Sequence, residues 1–393
     1  MAVVGAGMVG CATAWELARR AVSVCLLERG EVSSGTTGLG EGNVLCSDKE
    51  PGPEIDLARP ALVLYDEIEE LLGHEAGIRR KGALVVHSDP AGWGRERDRV
   101  AELTEAGVDC SLLDAAELRE VEPELRGERL LGGSWFPRDL QCAPRAIARA
   151  LAREAAALGA VVRPGVEVEA IAVDGGRVEG VLVAGGERLG ADHVVLAAGA
   201  WSAALAAGAG LDLPLEPRKG QLVQLERRPG FLQHKVIDGG YMAAVASSDS
   251  GLRVSTVVET TLEGHVLVGS SRERRGFDVE VDPDVSAALL EAAARIAPGV
   301  RELGVHSAWA GLRPWLPGGL PAIGPSAAAE GLWVATGHEG AGVAHGPLTG
   351  RLIAQGLTGE RPEIDVAPFN PDRFRRGMRR GEGSEGERGQ TPG

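Results

Sequence analysis

The apolar positions change texture midway along the chain. The first half alternates short apolar runs with stretches of helical spacing. Ala2 to Val4 read as a buried strand, Cys11 to Arg20 as a helix, and Val22 to Leu27 as a second strand. Ile55 to Leu72 is an amphipathic helix and Gly82 to His87 a strand. Two short helices follow, Ala101 to Gly107 and Ala115 to Glu122, the second stopped before Pro123. Gly132 to Asp139, with Trp135 and Phe136, reads as a loop. Pro144 opens an alanine-rich helix to Leu158 at a position where its missing N–H costs little, and Gly159 stops it.

Next, Val161-Val162, Val166 to Val173, Arg177 to Ala184 and Glu187 to Leu189 give a short strand and a small antiparallel meander. Its turns fall at Asp174-Gly175-Gly176 and Gly185-Gly186. Val194 to Ser202 is an apolar run ending in small residues, the pattern of a buried parallel strand whose C-terminal end faces a ligand crevice. From Arg218 to about Gly269 the pattern becomes alternating. Leu222 to Leu225, Tyr241 to Val245, Leu252 to Val258 and His265 to Gly269 read as an antiparallel sheet of a second domain. A helix from Val285 to Ile296, a shaped loop through Trp309 to Pro314 and a strand from Leu332 to Ala335 follow. The glycine loop Gly337 to Val343 then opens a helix to about Gln355.

A chain of 393 residues exceeds the size at which one core keeps growing, so an α/β protein of two or more domains is expected. The net charge of -15 argues against nucleic acid or an anionic membrane as partner. No apolar run approaches the length of a membrane span. The apolar start has no basic residues before it, so no signal peptide is expected and the cytoplasm is the expected location. Cys11, Cys25, Cys46, Cys110 and Cys142 are odd in number and form no CxxC pair, so they read as reduced residues with no metal site. The tail 376–393 is rich in Gly, Glu and Arg and is expected to be disordered.

Candidate chemistry begins at Gly5-Ala6-Gly7-Met8-Val9-Gly10. Gly5 suits a tight turn, Gly7 lets backbone approach a pyrophosphate at a helix N-terminus, and Gly10 lets helix and strand pack closely. Glu28, eighteen residues past Gly10, ends the second strand, where a carboxylate can accept from both hydroxyls of an adenosine ribose; Arg29 follows it. With 57 glycines in the chain the triplet alone is weak. Strand, turn, helix, strand and terminal acid in the right order give it weight. The strand before Gly5 has only three residues after Met1, which leaves open a start further upstream. Ser33 to Asn43 is a run of small residues whose amides and hydroxyls, with Thr36, Thr37, Gly42 and Asn43 among them, are expected to approach the rest of a cofactor.

Together with Val194 to Ser202, Trp309 to Pro314 with Leu320 to Gly324, and Thr336 to Gly342, this unit resembles the FAD-dependent D-amino acid oxidase, glycine oxidase and sarcosine oxidase superfamily over nearly the full length. Gly269 to Glu273 with Gly276-Phe277-Asp278, and Thr336 to Gly342, are most similar to β-type subunits of hydroxyproline dehydrogenases, opine oxidases and hydrogen cyanide synthases. The resemblance implies a discontinuous Rossmann-like FAD-binding domain (1–48, 143–215 and 318–360) with a mixed or antiparallel α+β substrate domain (49–142 and 216–317). It implies that Gly5, Ala6, Gly7, Met8, Val9 and Gly10 line the pyrophosphate, Glu28 the ribose and Val168 the adenine. Ala198, Gly199 and Trp201 would lie against the pyrophosphate region. Gly337, Gly340, Ala341, Gly342 and Val343 would face the flavin, with the following helix aimed at its N1/C2=O edge.

Arg313 matches the arginine that binds the substrate carboxylate in glycine oxidase-like members. Those enzymes carry a second arginine where this chain has Gly340, and covalent members attach flavin through a cysteine near the position of Gly311. Non-covalent FAD is therefore implied. The implied reaction passes hydride from an amino or imino acid to flavin N5 and gives an imine that water hydrolyses. Tyr241 on a substrate-domain strand and His338 beside Glu339 are further candidates, each with an ordinary structural reading beside it. Three roles stay open: a dehydrogenase passing electrons to a partner subunit, an oxygen-using oxidase, and a non-catalytic flavoprotein subunit. An NAD-dependent dehydrogenase is a weaker alternative.

Overall fold

The computed structural model describes residues 1–127, 130–240 and 251–375. A six-stranded sheet runs in the order Ala322–Pro325, Leu332–Thr336, Val194–Leu196, Ala2–Val4, Cys25–Glu28, Val161–Pro164. All neighbours are parallel except the first pair. Ala2–Val4 is fully buried at the centre, which is why three consecutive apolar residues suffice for it. The chain leaves it toward Cys25–Glu28 on one side, while Val194–Leu196 joins on the other. Such a reversal of strand order opens a crevice beyond the C-terminal strand ends.

Helix Met8–Arg19 lies on this sheet and packs between helices Pro144–Ala157 and Gly342–Thr358. The approach to the latter is close enough that a Cβ on Gly350 would come within 2.6 Å of the Ala12 carbonyl carbon. A three-stranded meander, Val168–Asp174, Arg177–Val183 and Arg188–Gly190, stands beside the sheet. Its first turn places Gly175 and Gly176 at φ of 54° and 82°, the two positive values a type I′ hairpin requires.

The second layer is an eight-stranded sheet in the order Val305–Trp315, Glu216–Arg227, His265–Arg272, Arg253–Thr260, Lys235–Asp238, Ala83–His87, Gly132–Phe136, Ser111–Asp114. Helix Pro283–Ile296 packs on this sheet through Val285, Leu289 and Ala293, which share a core with Val223, Val258 and Val268. Two stretches expected to be loops are strands here. Gly132–Phe136 pairs with Ala83–His87, its glycines notwithstanding, because a Cβ at Gly133 would strike the Val85 carbonyl oxygen. Val305–Trp315 pairs along its length with Glu216–Arg227, setting Arg313 opposite Arg218, so Pro314 sits on the sheet's edge strand where no ladder N–H is needed.

The helix expected over Ala101 to Gly107 begins earlier, at Pro90. Asp89 caps it by accepting from Gly92 N, and its charged middle hid the helical spacing. The strand placed at Tyr241 to Val245 lies outside the described residues, as does the 376–393 tail. No described helix is long and apolar enough to cross a membrane.

Gly350→Ala should therefore force two packed helices apart. A loss of about 1–3 kcal/mol in urea unfolding is expected for this overpacking; an unchanged midpoint would show that the two helices yield freely at this point.

Candidate active site

The glycine turn is held by its own acid. Glu28 Oε2 accepts from Ala6 N at 2.8 Å and Oε1 accepts from Gly30 N at 2.9 Å, so the carboxylate ties the end of the second strand to the turn after the first. Each oxygen keeps a lone pair for a further donor. Gly5 has φ of 100°, and a Cβ on Gly10 would lie 1.8 Å from the Gly5 carbonyl oxygen, so the helix start can press on the strand end only with glycine at both positions. Thr37 Oγ1 accepts from Met8 N at 3.0 Å, bringing the small-residue segment against the helix N-terminus.

A cavity of about 760 Å³ begins here and runs between the two sheets. Gly5, Gly7, Met8, Val9, Glu28, Arg29, Thr36, Thr37, Gly42 and Asn43 line one wall, and Val168, Ala198, Gly199 and Trp201 continue it. Gly340, Ala341, Gly342, Val343, Arg313 and His338 line the far part. Ala6, Gly10 and Gly337, expected at the cofactor, are not on the wall. Ala6 is held by Glu28, Gly10 packs on Gly5, and a Cβ on Gly337 would strike Leu316. Tyr241 lies outside the described residues.

These surroundings fit a long dinucleotide. The volume stands in the upper part of the usual range for ligand sites. Asn43 Oδ1 is buried on the wall without a hydrogen-bond partner among the described residues, an acceptor in want of a donor. A Cβ on Gly199 would meet no atom within 4 Å, so that backbone opens onto free space. Residues of the helix start at Gly7–Val9 and of the helix start at Gly340–Val343 both line the wall, each bringing the positive end of a helix dipole toward it.

Opposite, the eight-stranded sheet contributes charge. Arg313 Nη1 donates to the Ser271 carbonyl at 2.9 Å, and its guanidinium lies against Gly220, where any Cβ would clash. Glu339, at φ of 48°, turns its Oε1 toward Arg272 Nε at 3.2 Å, Arg218 Nη1 at 3.7 Å and Arg313 Nε at 3.9 Å. Burial alone would raise this carboxyl, but Arg272, Arg313 and Arg218 bring it down to about 2. A second pair, Lys235 with Glu41 at 2.8 Å, also lines the cavity and is backed by buried Glu259 and Lys81. The partners are 194 residues apart, so no local spacing advertised them.

The side chains of His338 and Glu339 point to different partners. Glu339 faces the arginines, whereas His338 Nε2 sits 2.9 Å from Thr349 Oγ1 and burial lowers its pKa to about 4. A neutral, tethered imidazole suits anchoring of the glycine loop better than a proton relay. His345, seven residues on and inside the following helix, is likewise buried and pushed well below its ordinary value. Among the described residues no cluster of His, Cys, Asp and Glu could hold a metal ion.

A crossover unit with a glycine turn, a terminal acid and a dinucleotide-sized cavity under a second sheet has the form of a dinucleotide-binding protein. The chain belongs to the DAO family of FAD-dependent oxidoreductases, whose model matches residues 1–356. It is 30% identical over 376 residues to a glycine oxidase of Geobacillus kaustophilus, covering 94% of this chain and 96% of the relative. It is also 30% identical over 329 residues to hydrogen cyanide synthase subunit HcnC of Pseudomonas aeruginosa, covering 82% and 75%. The crystal structure of glycine oxidase from Geobacillus kaustophilus superposes with a TM-score of 0.84 at 29% identity, covering 94% of this chain and 97% of that one.

The imidazole of His338 also sets a pH dependence. In the unfolded chain it takes up a proton near its ordinary value of 6.5, but in the folded protein only near 4. Between these values the unfolded state binds more protons, so this group costs stability as pH falls through the window. His338→Gln is expected to flatten the decline in unfolding free energy between pH 6.5 and 4; an unaltered slope would show that His338 titrates normally.

Proposed function

We propose that the chain oxidises the C–N bond of a small amino or imino acid, with residues 1–48, 143–215 and 318–360 holding the cofactor and 49–142 and 216–317 shaping the substrate site. The carrying observation is the Arg313 guanidinium on the cavity wall, braced from behind and still partly open. FAD, when bound, supplies the hydride acceptor. One Nη1 hydrogen of Arg313 is taken by the Ser271 carbonyl, which fixes the plane of the guanidinium and leaves the Nη2 side for a substrate carboxylate. The helix start at Gly340–Val343 favours negative charge developing nearby and needs no side chain to do so.

Gly340 replaces the second arginine expected of a glycine oxidase-like site. A Cβ there would stand 3.6 Å from Arg313 Nε, so the position abuts Arg313 and contributes room in place of charge. None of the five cysteines lines the cavity, and all five are free, which supports a dissociable flavin and a reducing, cytoplasmic setting. Likeness to a subunit of hydrogen cyanide synthase supports electron transfer to a partner, whereas likeness to glycine oxidase supports direct use of oxygen. Peroxide formation by the isolated chain separates the two.

Anaerobic mixing with glycine, sarcosine, D- and L-proline, hydroxyproline and opines should bleach the flavin with at least one member. A flavin that none of them bleaches would leave a non-catalytic subunit. Arg313→Met is expected to raise KM for that substrate about ten- to a hundredfold, the worth of charge-assisted hydrogen bonds of this kind. An unchanged KM removes Arg313 from the site.

A further inference from the structure

The segment between strand His265–Arg272 and helix Pro283–Ile296 starts and ends on the eight-stranded sheet and passes the cavity between these points. Its ends are fastened to strand Glu216–Arg227. Lys219 bonds backbone to backbone with Glu273 in both directions, and Lys219 Nζ holds Asp278 at 3.0 Å. At the far end the Gln221 amide group makes two bonds with the Asp282 backbone, both at 2.9 Å. Gly276, at φ of 57°, turns the chain between these anchors and presents Phe277.

Phe277 does not pack on its own sheet. Its ring stacks on Trp201 of the nucleotide-side wall, with centroids 5.6 Å apart and planes 27° from parallel. Arg29, the residue after Glu28, lies over the same indole at 4.0 Å. Arginine, tryptophan and phenylalanine thus form a ladder that starts one residue from the acid expected at the ribose. Phe277 nonetheless remains 54% exposed and Val279 50%, and both line the cavity. Large apolar groups left open on a cavity wall mark a surface that a ligand covers.

We infer that the 273–282 strap is a second half of the dinucleotide site, with Phe277 and Val279 covering the adenosine end of FAD from the substrate-side sheet. This rests on the FAD reading above and adds residues that the glycine turn does not predict. Affinity for the cofactor then depends on a segment outside the crossover unit, and the cofactor fastens the two sheets to each other.

The test compares wild-type protein and Phe277→Ala, both stripped of flavin and titrated with FAD by flavin fluorescence. Loss of an aromatic stack predicts a roughly three- to tenfold rise in Kd, with Phe277→Tyr restoring the wild-type value. Trypsin cleavage of wild-type protein after Arg275, which is exposed on the strap, provides a readout free of any substitution. Added FAD should slow cleavage there. Equal Kd values, or unchanged cleavage at Arg275 while FAD is bound, overturn the strap assignment. A wild-type chain that binds no FAD at all overturns the cofactor reading instead.

Discussion

The structure depends on a carboxylate that serves the backbone before it serves any ligand. Glu28 accepts from amides on both sides of the crossover, at Ala6 and Gly30, and so fixes where the glycine turn stands relative to the end of the second strand. That fixed turn allows the first helix to press its start on the Gly5 carbonyl. Free amides at a helix start are an anion site only if they point at a defined place. Local bonding of Glu28 supplies that definition.

A second balance governs the opposite wall. Three guanidinium groups within 4 Å of one carboxylate could not be buried without it, and Glu339 is held in a left-handed backbone conformation to provide it. The result orders Arg313 in advance, so under the role proposed for it little freedom would be lost on pairing with a carboxylate. Where glycine oxidase-like relatives are expected to have a second cation, this chain has space and an anion one residue earlier. Under the proposed reaction that difference would bear on substrate choice more than on chemistry, since hydride transfer asks the protein mainly for orientation.

Much of this was legible in the residues because it is written at short range. The glycine turn, the Glu28 acid and the meander turns are fixed by spacing and by φ preferences that only glycine meets readily. The errors came where distant partners decide. Gly132–Phe136 looked like a loop until its close partner strand was known, and Arg313 looked like a loop residue because Pro314 obscured an edge strand. Lys235 with Glu41, and Phe277 with Trp201, join residues far apart in sequence, and no periodicity records such pairs. For His338 the ordinary structural reading, a hydrogen bond that steadies the loop, matches its contact with Thr349. Adjacent in sequence, the His338 and Glu339 side chains part toward a buried hydroxyl and an arginine cluster.

The most direct measurement is calorimetric titration of the flavin-stripped chain with FAD and, separately, with FMN, which carries the same ring system without the adenylate. If the Glu28-braced turn is what captures the cofactor, FAD should bind much more tightly and FMN should fail to compete with it. FMN binding as tightly as FAD would contradict the account, because the ring pocket alone would then suffice and the glycine turn would hold nothing.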